Sequence, residues 1–203
     1  MAQIQQRLNF YALLSRVMMK ECDTELMETI LGSKELLEML PGIAGEKALI
    51  QKDAKDYIEK VLNVDFTNLF LLHLTPYESF FKREDGMMNT GGSNPVVQFY
   101  EEYHFQVDLV KARTVAADHI GCEMEFMHVL VDSQRKAEEN NDNESARELL
   151  GIQKRFMQEH LLSWAPLFLN QVKAEAETAF YSDFADMAMD FLFADYELIC
   201  ESL

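Results

Sequence analysis

Residues 118–131 read Asp-His-Ile-Gly-Cys-Glu-Met-Glu-Phe-Met-His-Val-Leu-Val. Ile120, Met124, Met127 and Val131 recur there every three or four positions, the period of an α-helix with one buried stripe. The same spacing runs outward in both directions. Upstream, Ile4, Leu8, Tyr11, Leu14 and Met18 share a helix face; downstream, Leu149 to Leu162 and then Phe180, Phe184, Met187 and Phe191 repeat the pattern. Strand-like alternation is scarce, and only eight glycines and four prolines punctuate 203 residues. The reading is an all-α chain, folded as one helical domain over residues 1–203.

Several boundaries follow from local chemistry. Two short helices are expected near Leu26 to Leu31 and Lys34 to Met39, after which Pro41, Gly42 and Gly45 stop the chain. The next helix is predicted to bury Ile50, Ala54, Tyr57, Ile58 and Val61, with Asp65 capping a short helix that holds Leu69 and Phe70. Leu74 to Pro95 is the least regular stretch, with a mobile loop near residues 84–95, centred on Gly86 to Ser93. Beyond Pro95 a helix carries Val97, Phe99 and Tyr100. The polar run near 136–145 reads as a solvated connection, and no fixed-period repeat is present.

The bulk numbers exclude whole classes of function. With 48% hydrophobic residues the chain can bury a core without staples, and Cys22, Cys122 and Cys200 show neither a disulfide framework nor Cys-x-x-Cys spacing, which suits a reducing cytoplasm. Polar residues interrupt each apolar run near the start, so no signal-peptide core is expected, and no stretch has membrane-spanning length. A net charge of −17 repels nucleic acid and anionic lipid and favours cationic partners.

Catalytic signatures do not assemble. Glu125 and His128 form a Glu-x-x-His pair, but a di-metal carboxylate bundle needs a matching pair and further glutamates on facing helices, so no metal and no cofactor is expected. Gly86 to Ser93 imitates a phosphate-binding loop with Gly92 where the lysine belongs and no strand before it. There is no Gly-x-Ser-x-Gly elbow, and Cys122 reads as buried filler. Trp164, Pro166 and Phe168 read as architecture, with Ser163 a possible cap and Pro166 tolerated in a first turn. Asp118 at a helix start reads first as a cap or first-turn acid. The rival reading makes Asp118, His119 and Glu123 an acidic rim that accepts guanidinium hydrogen bonds, beside a groove floored by Leu69 and Phe70 and edged by Tyr77.

These residues resemble the TorD, DmsD and NarJ family of cytoplasmic redox-enzyme maturation chaperones, which assist molybdenum oxidoreductases. The likeness covers most of the chain and is carried by Asp65, Phe66, Leu69 and Phe70; by Pro76, Tyr77, Glu78 and Ser79; by Phe99 and Tyr100; by Asp118 and His119 with Glu123, Glu125 and Phe126; by His160, Leu161, Leu162, Trp164, Pro166 and Phe168; and by Phe180 and Tyr181. Family members usually place Pro before the Asp of the central motif, with a Glu upstream; here Ala116 and Ala117 stand before Asp118. The resemblance implies no reaction. It implies binding of the twin-arginine leader peptide of a precursor enzyme, delay of export and support of cofactor insertion, by a protein that is monomer or dimer and does not insert into membranes. The peptide-binding residues it points to, with those of the expected groove, are Leu69, Phe70, Pro76, Tyr77, Glu78, Asp118, His119 and Glu123. Two other classes compete: an acidic adaptor for a different basic partner and a metal-dependent helical-bundle enzyme.

Overall fold

A computed structural model describes residues 2–89 and 94–203. Among the described residues the chain is helical throughout and holds no strand; the single extended pairing is an antiparallel bridge between Tyr77 and His119. No helix among them is long and apolar enough to cross a membrane. The chain forms two compact units, Met1–Met19 with Pro76–Pro166 and Phe191–Leu203, and Lys20–Thr75 with Leu167–Asp190.

The first unit is built around the Ile120–Glu139 helix. Ile120, Met124, Met127 and Val131 are fully buried, as their spacing predicts, and Cys122, Glu123 and Phe126 are buried as well, so the first half of this helix has almost no solvent face. The Ala2–Met19 helix lies against it, burying Leu14, Val17 and Met18, with Ser15 Oγ donating to the Gly121 carbonyl at 2.9 Å. Glycine is needed there, because a Cβ on Gly121 would stand 2.2 Å from Met19 Cγ. Phe99, Tyr100, Phe126 and Phe156 pack ring on ring at 4.8 to 6.0 Å as the aromatic heart of this unit. A buried ion pair completes it: Asp195 meets Arg7 Nε at 2.5 Å, and Gln134 and Gln153 accept from the remaining guanidinium nitrogens at 3.1 and 2.6 Å.

The second unit packs Phe66, Phe168 and Tyr181 around Phe70 at 5.1 to 6.3 Å between ring centres. Its two short helices are Thr24–Gly32 and Lys34–Met39, close to the predicted pair, each opened by a side-chain cap from Asp23 and Ser33.

Several local expectations are corrected. Pro41 and Gly42 start the Pro41–Lys52 helix instead of stopping one, because proline's fixed φ suits a first turn and Asp183 Oδ2 accepts the amides of Gly42 and Ile43 at 2.8 and 3.1 Å. Val61 is 40% exposed and Leu62 takes its buried place. The turn Ile58–Leu62 is a π-helix, closed by the Asn63 amide on the Ile58 carbonyl, and its extra residue rotates the register. Asp65 caps at a distance: its carboxylate accepts the amides of Glu177 and Thr178 at 3.2 and 2.9 Å, where the Ala179–Ser202 helix begins. The polar run 136–145 is mostly exposed, but the Ile120–Glu139 helix runs into it and Asn143–Phe156 begins within it, leaving Asn140 to Asp142 as the connection. Ser163 Oγ donates to the His160 carbonyl at 2.5 Å rather than capping, and Pro166 lies inside the Leu162–Glu175 helix, beyond its first turn. Between Leu74 and Pro95 the chain holds a helix, Glu78–Lys82, and a left-handed turn at Gly86. The expected mobile loop and the phosphate-loop look-alike extend over residues 90–93, which lie outside the described residues.

Candidate functional site

Two segments of the first unit are laced together. The Glu78 amide donates to the Asp118 carbonyl and the Ile120 amide to the Pro76 carbonyl, each at 3.0 Å, which sets Tyr77 opposite His119. The Tyr77 ring meets the His119 ring edge-on at 5.1 Å, and its hydroxyl accepts the Val115 amide at 3.3 Å. His119 is the N-cap of the Ile120–Glu139 helix, its Nδ1 accepting the Gly121 amide at 3.0 Å. The acceptor role requires neutral imidazole, and burial reinforces it by pushing the His119 pKa down from 6.5 to about 4. Asp118 caps a different helix: its Oδ2 accepts the Ser79 amide at 2.8 Å in the first turn of Glu78–Lys82.

Three carboxylates converge behind this lacing. Asp118 and Glu123 are 0% exposed and Glu78 is 3% exposed, so the acidic rim expected from the sequence is instead an acidic interior. Glu78 faces His160 Nδ1 at 3.0 Å and Lys82 Nζ at 2.7 Å, while Trp164 Nε1 donates to both oxygens of Glu123 at 3.2 Å. Burial, then the neighbouring charge of Glu78, raises Glu123 well above the usual carboxylate range. Asp118 Oδ1 is buried without a hydrogen-bond partner among the described residues.

Two recesses open beside this interior, and both use the Pro95–Glu102 helix as a wall. One, of about 380 Å³, is lined by Lys82, Pro95, Gln98, Phe99, Glu102, Arg155, Glu159 and His160. Arg155 lies over the Phe99 ring at 4.5 Å and reaches Glu102 Oε2 at 2.5 Å. The other, of about 340 Å³, is lined by Asn89, Val97, Tyr100, Glu101, Phe105, Gln106, Val107, Leu109, Ala116 and Ala117. Pro95, Gln98, Phe99 and Glu102 form one face of the helix and Val97, Tyr100 and Glu101 another, so helical periodicity divides a charged recess from a mainly apolar one.

Of the eight residues singled out from sequence, Pro76, Tyr77, Glu78, Asp118, His119 and Glu123 come together in the first unit. Leu69 and Phe70 belong to the second, where they are buried at 1% and 5% exposure. Glu102, Glu159, Lys82 and Arg155 were missed. A signal existed only for Lys82, which follows Glu78 by four residues on one helix. A second Glu-x-x-His, Glu101 and His104, also escaped notice; His104 lies past its helix at φ 55°. Among the described residues no group of three or more His, Cys, Asp or Glu is placed to hold a metal.

Helices, a laced buried interior and two unlike recesses describe an all-α protein. Residues 32–170 match the family model described as nitrate reductase delta subunit. The chain belongs to that family, the TorD and NarJ type of redox-enzyme maturation chaperone, and it is not an enzyme. It is similar to chaperone protein TorD of Vibrio parahaemolyticus, with 26% identity over 92% of this chain and 91% of that one. It is equally similar, at 26%, to chaperone protein TorD of Aliivibrio fischeri, over 96% and 95% of the two chains. The perchlorate reductase assembly chaperone protein of Dechloromonas aromatica is 34% identical over 39% of this chain and 35% of its own. No solved structure matches the chain.

Proposed function

We propose that this chain is a cytoplasmic chaperone that binds the twin-arginine leader of a molybdenum oxidoreductase precursor, delaying export while cofactor is inserted. The observation that carries the reading is the pair of recesses on two faces of the Pro95–Glu102 helix, one rich in charge and one largely apolar. A twin-arginine leader has the matching order, paired guanidiniums followed by an apolar segment. A helix is about 10 Å across with its side chains, and three extended residues cover that distance. Paired arginines in the Glu102 recess would therefore leave the apolar segment beside Tyr100 and Phe105. The net charge of −17 supports the same partner by attracting a basic peptide at a distance.

In this reading Pro76, Tyr77, Asp118, His119 and Glu123 act by holding the recess walls, since each is fastened within the chain, while Glu78 borders the charged recess through Lys82 and His160. Burial of roughly 500 Å² of apolar surface contributes about 12 kcal/mol gross, and association and ordering costs of about 4 to 15 kcal/mol leave affinity near micromolar. That strength permits release of the client.

Calorimetry with three peptides tests the proposal: the leader, the leader with both arginines changed to alanine, and an unrelated peptide of equal positive charge. Micromolar binding of the first alone is expected. Equal binding of the third favours a general adaptor for basic proteins, and silence with all three overturns the proposal.

A further inference from the structure

The charged recess already holds a cation of the chain's own. Lys82 Nζ stands 2.7 Å from Glu78 Oε1 and 2.6 Å from the Glu159 carbonyl oxygen. Its side chain is 39% exposed, whereas that of Glu78 is 4% exposed, so the ammonium sits at the boundary between a buried carboxylate and open solvent. Across the recess Arg155 is held differently, by Glu102, by the Tyr103 hydroxyl at 3.0 Å and by the Phe99 ring. One cation is tied to several partners; the other plugs an acceptor pair from a flexible stem.

We infer that Lys82 fills, in the free chain, the seat that an arginine side chain of the bound leader takes. The inference rests on the leader being the ligand. Its physical basis is that a carboxylate as buried as Glu78 needs a cation beside it at all times. His160 Nδ1 lies 3.0 Å from Oε2 and 3.2 Å from Oε1, and Lys82 Nζ is the nearer partner of Oε1 at 2.7 Å. An ammonium is strongly hydrated and mobile, so it passes into water at small cost. A guanidinium is more weakly hydrated and offers parallel N–H donors, which suits two acceptors side by side, here Glu78 Oε1 and the Glu159 carbonyl. Exchange of Lys82 for a leader arginine keeps one positive charge on Glu78 throughout, so no step leaves the carboxylate bare. It also yields a specificity: a leader lysine entering the seat would replace one ammonium by another and gain nothing.

The test uses the full chain, the variants Lys82→Met and Lys82→Arg, and two leader peptides, one with paired arginines and one with paired lysines. Lys82→Met should bind the arginine leader about tenfold more tightly than the parent and should bind the lysine leader as well, because the seat is empty. Its free form should melt at a lower temperature, with the arginine leader restoring the loss. Lys82→Arg fills the seat with the better cation and should bind the arginine leader about tenfold more weakly. If Lys82→Met does not fold, the weakening in Lys82→Arg decides alone. Parent-like affinity in both variants, or weaker binding in Lys82→Met, overturns the assignment while leaving the leader reading intact. A parent chain that binds no leader removes the reading itself, and this inference with it.

Discussion

The first unit contains two buried polar networks of opposite character. Around Arg7 the charges balance: one guanidinium serves one carboxylate, Asp195, which also accepts the Tyr11 hydroxyl at 2.7 Å, and Gln134 and Gln153 take the remaining donors. Around Glu123 they do not. Glu78 meets the ammonium of Lys82 and the ring of His160 with Asp118 and Glu123 close by, one Asp118 oxygen has no hydrogen-bond partner among the described residues, and Glu123 is held well above the usual carboxylate range. A balanced network fixes a fold. An unbalanced one holds a proton on Glu123 to offset its crowded carboxylates, and it does so beside an open recess.

The largest effect lies at the balanced network. Arg7→Met leaves Asp195 buried and uncompensated, so it should lower stability by about 3 to 5 kcal/mol in urea unfolding, with leader affinity of the folded fraction unchanged. A small loss would mean that the pair contributes little.

Next comes His119. Its folded pKa is depressed, so its contribution is present above the unfolded value of 6.5 and is lost as pH falls toward about 4. His119→Asn keeps an N-cap acceptor and removes the titration. Between pH 7 and pH 5 the parent should lose roughly 2 kcal/mol through this group that the variant retains. Matching pH profiles would show that the ring is not held neutral by burial.

The remaining effect belongs to Glu123. Its folded pKa is raised, so stability from this group is fully present below the unfolded value of 4.5 and is lost as pH rises through the folded one. Glu123→Gln keeps an acceptor for Trp164 and should flatten that loss, by at most about 1.4 kcal/mol per pH unit. The trend runs opposite to that of His119. An unchanged slope would show that no proton is held there.

The helices were legible in the sequence because periodic apolar residues state their own geometry: Ile120, Met124, Met127 and Val131 were placed correctly, as were the two short helices after Asp23. What failed depended on partners far along the chain. Asp65 pairs with amides more than 110 positions away and Asp183 caps at Gly42 across about 140, and neither partner leaves a local mark. The π-turn at Ile58–Leu62 displaced Val61 for a related reason, since one extra residue breaks a strict 3.6 period without altering composition. At the site, the lacing residues were readable through their resemblance to a family, but their burial was not. Asp118 looks like a surface cap until the Pro76 to Ser79 segment is folded over it. The recess cations Lys82 and Arg155 depend on tertiary contacts, and Glu102 lies 53 residues from Arg155.

Amide hydrogen exchange with and without the leader peptide tests the central claim most directly. New protection is expected on both faces of the Pro95–Glu102 helix, at Glu102 and Arg155 in the charged recess and at Phe105 to Leu109 beside the apolar one. Leader binding with protection confined to other helices, and none along Pro95–Glu102, would contradict it.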